Sequence, residues 1–253
     1  MAVTTSPSAP VNGDPMTGTE PLAQTTGLTV HYGSTRALND FSFALPPGRI
    51  VGLLGENGCG KTTLLKVLGG VWADYQGDVR ILGHRPGPLS KGLVSFLPDT
   101  SFLPDGATAR SCLRLYRDFF ADFDESKALD QLGFFGLDPD MRLRQMSKGM
   151  REKAQIALAM SRNARVFLLD EPISGVDPAA REIILDGIVR NLEPDATVLI
   201  CTHLVHDLEP ILDSVVFMRS GRNLLSGAVD DLRAQHNLSI DHLFREVYRC
   251  SAS

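Results

Sequence analysis

Residues 55–62, Gly-Glu-Asn-Gly-Cys-Gly-Lys-Thr, constrain this chain more than any other stretch, because they match G-x-x-x-x-G-K-[ST] at every fixed position. Gly55, Gly58 and Gly60 let the backbone turn tightly and aim its N–H groups at a polyphosphate. Lys61 can reach the β- and γ-phosphates, and the Thr62 hydroxyl can ligand Mg²⁺. The flanks suit such a loop: residues 50–54 form an apolar run of buried-strand type, and residues 64–68 open a helix whose N-terminal dipole favours anions. The expectation is a nucleoside triphosphate site, with Glu56, Asn57, Cys59 and Thr63 as the remaining loop residues. Cys59 lies near Lys61 and a helix N-terminus, both of which lower a thiol pKa, but the favoured reading is a small residue filling a tight turn.

At 253 residues and 43% hydrophobic content, the chain can bury one α/β core with a subdomain. Its 25 basic and 30 acidic residues leave a net charge of −5, which lacks the electrostatic footprint of a nucleic-acid binder, and no nucleic-acid partner is expected. The four cysteines form no C-x-x-C pair and suit a reduced, cytoplasmic setting. No window approaches the roughly 18–20 apolar residues of a membrane span, so any membrane involvement calls for another chain. Residues 1–26, with their Ser, Thr, Pro and Gly, are expected to be a disordered tail, and residues 27–253 the ordered domain.

Residues 28–32 and 41–45 read as strands, Pro46-Pro47-Gly48 as the turn into the phosphate-loop strand, and residues 78–82 as a further short strand. Together they predict a small antiparallel layer beside the nucleotide site. Apolar spacings of three and four predict helices over residues 111–120, 125–135 and 148–161, forming a helical subdomain of about residues 100–163. Residues 166–169 and 197–201 return as buried strands with a helix over 180–192 between them. The alternation predicts an α/β fold: a phosphate-loop core with a parallel sheet, an N-terminal antiparallel β layer and an inserted helical subdomain.

The strand over residues 166–169 ends in Asp170 and Glu171. A carboxylate at such a strand end beside a phosphate loop suits Mg²⁺, which is Asp170's expected role; Glu171 can face the γ-phosphate and polarise a water as general base.

With these residues in place, the chain resembles the nucleotide-binding subunit of ATP-binding cassette (ABC) transporters over residues 27–227. Tyr32 matches the aromatic that stacks on adenine, and residues 55–62 match the phosphate loop. Met146-Ser147-Lys148-Gly149-Met150 sits where the family signature Leu-Ser-Gly-Gly-Gln is expected. Asp170 and Glu171 match the Mg²⁺ aspartate and catalytic glutamate, residues 174–177 the dimer-contacting loop with Asp177 at its end, and His203 the switch histidine. The resemblance implies a head-to-tail dimer, homo- or heteromeric, that sandwiches ATP. Ser147, Lys148 and Gly149 of one subunit would meet the γ-phosphate held by the other. It also implies a separate membrane-spanning subunit, with this chain peripheral on the inner face of the cell membrane.

Two motifs depart from the family pattern. The signature carries Lys148 and Met150 in place of a glycine and a glutamine, and Asp99 stands after the strand over residues 93–98 where the family usually has glutamine. A carboxylate there is an acceptor only and could ligand Mg²⁺ or repel phosphate. These variations are similar to a branch of small bacterial cassette ATPases that pair with export-type membrane subunits. Two alternatives stay open: a soluble cassette ATPase, and a regulator that hydrolyses ATP weakly.

Overall fold

The computed structural model describes residues 20–249. β1 (Ala23–Tyr32) and β2 (Thr35–Leu45) lead into β3 (Ile50–Leu54), the phosphate loop and α1 (Lys61–Leu68). Next come β4 (Gln76–Ile81), α2 (Pro88–Lys91) and β5 (Val94–Leu97). The helical arm holds α3 (Ala109–Phe119), α4 (Glu125–Phe134) and α5 (Lys148–Met160). β6 (Val166–Asp170), α6 (Pro178–Arg190), β7 (Thr197–Thr202) and α7 (Val205–Leu208) follow. The C-terminal segment is β8 (Ser214–Arg219), β9 (Arg222–Ala228), α8 (Val229–His236) and α9 (Ile240–Arg249).

β1 begins at Ala23, so order starts earlier than the expected tail boundary; residues 1–19 of that tail lie outside the described residues. The early start has a register reason. Ala23, Gln24 and Thr25 pair with β2 on one side and β4 on the other, so these small and polar residues are held by two ladders.

Two sheets form. The antiparallel sheet runs β2-β1-β4, and the main sheet runs β5-β6-β7-β3-β8-β9, parallel throughout except for the antiparallel edge hairpin β8–β9. Strand periodicity then divides the core, since alternate side chains leave on opposite faces. From β3, Ile50 and Leu54 pack toward the helical arm, whereas Val51 and Leu53 pack toward the antiparallel sheet and α1. β6 repeats this, with Phe167 and Leu169 on the first face and Val166 and Leu168 on the second. Truncating the fully buried Phe167 to Ala would cost about 3–5 kcal/mol by cavity formation.

The arm is docked by a buried cation. Arg162, 3% exposed, bonds Asp122 through Nε at 2.7 and 2.9 Å and stacks over Phe120 at 3.9 Å. Ser147 caps α5 by accepting from Met150 N–H at 3.2 Å, and Asp177 caps α6 by accepting from Ala180 N–H at 3.0 Å. Among the described residues, no helix is long and apolar enough to cross a membrane.

Candidate nucleotide site

The carboxyl ends of β3, β6 and β7 open onto a cavity of about 550 Å³, a volume that suits a nucleotide. Of the expected loop residues, Asn57, Gly58, Gly60, Lys61, Thr62 and Thr63 line it. Gly58 (φ 80°) and Gly60 (φ 113°) occupy the left-handed region, as the tight-turn reading requires. Gly55 has a different reason to be glycine: an added Cβ would stand 2.5 Å from both the Met218 carbonyl and Cys59 Sγ. Gly55 and Cys59 are buried, Glu56 is exposed, and none of the three lines the cavity.

Lys61 is 6% exposed and folds back along its loop, donating from Nζ to the Gly55 and Glu56 carbonyls at 2.7 and 3.1 Å. Its ammonium also lies 3.9 Å from Glu171 Oε1. The packing reading of Cys59 holds, although its two neighbours alone would lower the thiol pKa. Burial raises its pKa above the ordinary value, and the Lys61 charge only partly offsets this, so Cys59 behaves as a small packing residue.

Asp170 is 1% exposed, and neither carboxylate oxygen has a hydrogen-bond partner. Burial pushes its pKa up to about 6; the Thr62 hydroxyl pulls it down without reaching hydrogen-bond geometry, and the charges of Asp99 and Glu171 push it further up. A buried carboxylate left without a donor is expensive, and a cation is the natural remedy. The donor set, one carboxylate and one hydroxyl with Asp99 in electrostatic range, suits Mg²⁺, which takes few protein ligands and completes its shell with phosphate and water. Among the described residues, no group of three or more His, Cys, Asp or Glu could hold a metal.

Glu171 follows Asp170 at φ 50°, a conformation uncommon for a residue with a Cβ and found where neighbouring structure enforces it. Its N–H donates to the Cys201 carbonyl at 2.9 Å, its Oε2 accepts from Thr202 Oγ1 at 3.1 Å, and His203 Nδ1 lies 3.0 Å from Oε1. The side chain points into the cavity beside Lys61, Ser174 and His203.

At the far end Tyr32, 37% exposed, lines the cavity and meets Trp72 edge-on at 4.5 Å between ring centroids. Asp99 and Lys148 also line the cavity, and the Lys148 ammonium lies over Gly175 so closely that a Cβ there would overlap it. Ser147, Gly149 and Asp177 are not brought to this cavity; Ser147 is exposed at the start of α5, and Asp177 is spent on capping.

Sequence reasoning gave no role to Thr35, Arg36 and Ala37, which line the Tyr32 end of the cavity, nor to Thr202, and it gave Ser174 a place in the dimer-contacting loop rather than in this cavity. The turn between β1 and β2 was the available signal for the first group. For Thr202 there was none, because only the folded register brings it beneath Glu171.

A phosphate loop after the central strand of a parallel sheet, with a buried carboxylate pair at the end of a nearby strand, defines a phosphate-loop nucleotide-binding domain. A protein-family model described as ABC transporter matches residues 38–174, a little over half of the chain, and the chain belongs to that family.

Over 158 residues the chain is 35% identical to the arabinose import ATP-binding protein AraG 1 of Burkholderia cenocepacia, an overlap of 57% of this chain and 31% of that protein. It is 32% identical over 158 residues to the Nod factor export ATP-binding protein I of Paraburkholderia xenovorans, covering 59% of this chain and 52% of that protein. The chain thus spans about a third to a half of the length of these curated relatives. A solved structure of an ATP-binding subunit of an ABC transporter superposes with a TM-score of 0.79 at 28% identity, covering 90% of this chain and 99% of that one. A dimeric ATP-binding cassette in a post-hydrolysis state, bound to ADP and Pi, shares the fold at a TM-score of 0.72 and 20% identity, covering 81% and 98%.

Proposed function

We propose that this chain is the ATP-binding subunit of an ABC transporter, binding and hydrolysing ATP in a head-to-tail dimer to drive a separate membrane-spanning subunit. The observation that carries the ATPase reading is the unpartnered, buried Asp170 carboxylate set beside Thr62, with Lys61 and Glu171 in the adjoining cavity. Family membership supports the transport setting.

Thr62 and Asp170 would hold Mg²⁺, which supplies charge neutralisation on the phosphate oxygens. Lys61 turns from its loop carbonyls to the β- and γ-phosphates. Glu171, which Thr202 and His203 hold before a nucleotide is bound, takes the proton of the attacking water. Tyr32, braced by Trp72, stacks on adenine. Asp99 adds negative charge near the cation and belongs to a loop tied to α5, where the Phe102 N–H donates to Gln155 Oε1 at 3.3 Å. That loop is the proposed link to the membrane subunit. Ser147 and Gly149 complete the site of the opposing subunit, Asp177 lies at their contact, and Lys148 faces the cavity of its own chain. The chain would work at the cytoplasmic face of the membrane. Relatives named for import and for export are both similar, so the proposal concerns the ATPase engine and not a substrate.

Steady-state ATPase measurement on the purified chain tests this. Glu171→Gln should keep ATP binding and slow turnover on the order of 10²-fold or more, whereas Lys61→Ala should weaken binding itself. Near-normal turnover in Glu171→Gln would remove Glu171 from the mechanism.

A further inference from the structure

The phosphate loop rests on a floor built by the C-terminal segment, outside the span matched by the family model. Tyr248 of α9 donates its hydroxyl to the Met218 carbonyl at 2.6 Å and lies 3.4 Å from the carbonyl of Leu54, the last residue of β3 before Gly55. A single hydroxyl hydrogen serves the shorter contact. The same Met218 oxygen also sets the room above it, since a Cβ on Gly55 would stand 2.5 Å from it and 3.4 Å from the Tyr248 hydroxyl. One carbonyl is therefore tied to Tyr248 on one side and packed against the first glycine of the loop on the other. The Gly55 carbonyl in turn receives Lys61 Nζ at 2.7 Å.

The other side of the loop is held by the turn after β8. Gly221 N–H donates to the Cys59 carbonyl at 2.8 Å, and Asn39 N–H donates to the Gly221 carbonyl at 2.9 Å. Tyr248 itself is well fixed. Its ring packs on Phe244 at 4.4 Å, Phe244 meets Phe217 of β8 edge-on at 5.8 Å, and the first turn of α9 is pinned by Glu209, which accepts from Ile240 and Asp241 N–H at 2.9 and 3.1 Å. Burial raises the phenol pKa, so the hydroxyl keeps its proton as a donor.

We infer that Tyr248 is a positioning residue for nucleotide binding, setting the height of the phosphate loop through the Met218 carbonyl. The inference rests on reading residues 55–62 as the ATP site. A phosphate loop holds its ligand with several backbone N–H groups at once, so a small displacement weakens all of them together. The loss should fall on every nucleotide with a β-phosphate and not on the chemistry of the bound complex.

The test is Tyr248→Phe in the full chain, which keeps the ring and removes the hydroxyl. Titration with fluorescent MANT-ATP and MANT-ADP should show roughly fivefold weaker binding of both, the size expected for one lost hydrogen bond. KM for ATP should rise by the same factor with kcat within twofold. Arg245→Ala, on the same helix and ion-paired to Asp241, should keep wild-type affinity. Unchanged affinities in a folded Tyr248→Phe, or a fall in kcat alone, would overturn the inference, even with a lowered melting temperature. A wild-type chain that bound neither nucleotide would overturn the ATP reading and this inference with it.

Discussion

His203 Nδ1 lies 3.0 and 3.1 Å from the two carboxylate oxygens of Glu171, and Thr202 Oγ1 donates to one of them at 3.1 Å. An ionised carboxylate only accepts, so Nδ1 carries the hydrogen and Nε2 is the nitrogen left for other partners. In this arrangement a neutral His203 offers phosphate an acceptor, which is unfavourable. It can donate to the γ-phosphate only as an imidazolium or after releasing Glu171. The glutamate is therefore held in a resting pose by two neighbours, and engagement of a nucleotide must redistribute those bonds.

Thr202→Val tests the holding of Glu171 apart from the chemistry: at nearly constant volume it removes the hydroxyl that donates to Glu171 and that accepts from the Leu204 N–H at 3.0 Å. With Glu171 less well aimed at the water, kcat should fall about tenfold while the affinity for ATP stays within twofold. Single-turnover and binding measurements on the same preparation would show the split. Loss of affinity with intact kcat would assign Thr202 to the loop rather than to the base.

Asp170 gives a prediction of the opposite sign for stability and function. Its buried carboxylate has no donor, so Asp170→Asn removes an uncompensated charge and should stabilise the metal-free chain by about 1–3 kcal/mol. For a domain of this size that corresponds to roughly 2–10 °C in melting temperature. The same variant should lose the Mg²⁺ dependence of ATP binding. Thermal unfolding in EDTA and binding at varied Mg²⁺ check the two halves. A lower melting temperature in EDTA would mean that the carboxylate is already well compensated.

The phosphate loop and both central carboxylates were legible in the sequence because each is local: a loop of fixed spacing and a strand followed by acids. The parallel sheet was legible for the same reason, since β3, β6 and β7 are continuous apolar runs buried on both faces. His203 came only through the family resemblance, since a histidine after a strand is by itself more often structural. What escaped was non-local. Met218, Gly221 and Tyr248 reach the loop only through the β8–β9 hairpin and α9, and Arg222–Ala228 lacks the apolar density that marks a strand. The tail boundary was misplaced because residues 23–26 are small and polar, yet two flanking ladders hold them. Cys59 was read as a small packing residue, and its burial, which outweighs the Lys61 charge, supports that reading.

Lys148 replaces a family glycine with a cation that lines the cavity and has no acidic partner within ion-pair distance among the described residues. Gly175, at φ 75°, leaves the room its ammonium occupies. Lys148→Ala should weaken ATP binding about two- to fivefold at low salt, and the difference should shrink at high salt, because an exposed charge is screened. ATP titrations at 0.05 and 0.5 M salt (roughly 14 and 4 Å Debye lengths) would show it. Equal affinities at low salt would leave Lys148 as a solvated helix start.

Glu209 ties α9 to the segment that follows His203, and it makes the acid limb of stability informative. Burial acts to raise its pKa, but hydrogen bonds from Arg233 and from the Ile240 and Asp241 N–H groups outweigh it and hold the carboxyl below its ordinary value of 4.5. A carboxyl whose pKa is lower when folded favours folding in its charged form. Its contribution is therefore complete above pH 4.5 and is lost as pH falls from there through the lower folded-state value. Glu209→Gln keeps one acceptor oxygen but removes the charge, and at pH 7 it should cost about 1–2 kcal/mol. The wild-type advantage over the variant should then shrink below pH 4.5, since a protonated Glu209 and a glutamine differ little as acceptors. Urea unfolding of both proteins at pH 7, 5 and about 3.5 measures that difference directly, with the other carboxyl groups cancelling between them. A gap that stays constant across this range would mean that Glu209 holds α9 through packing rather than through its charge.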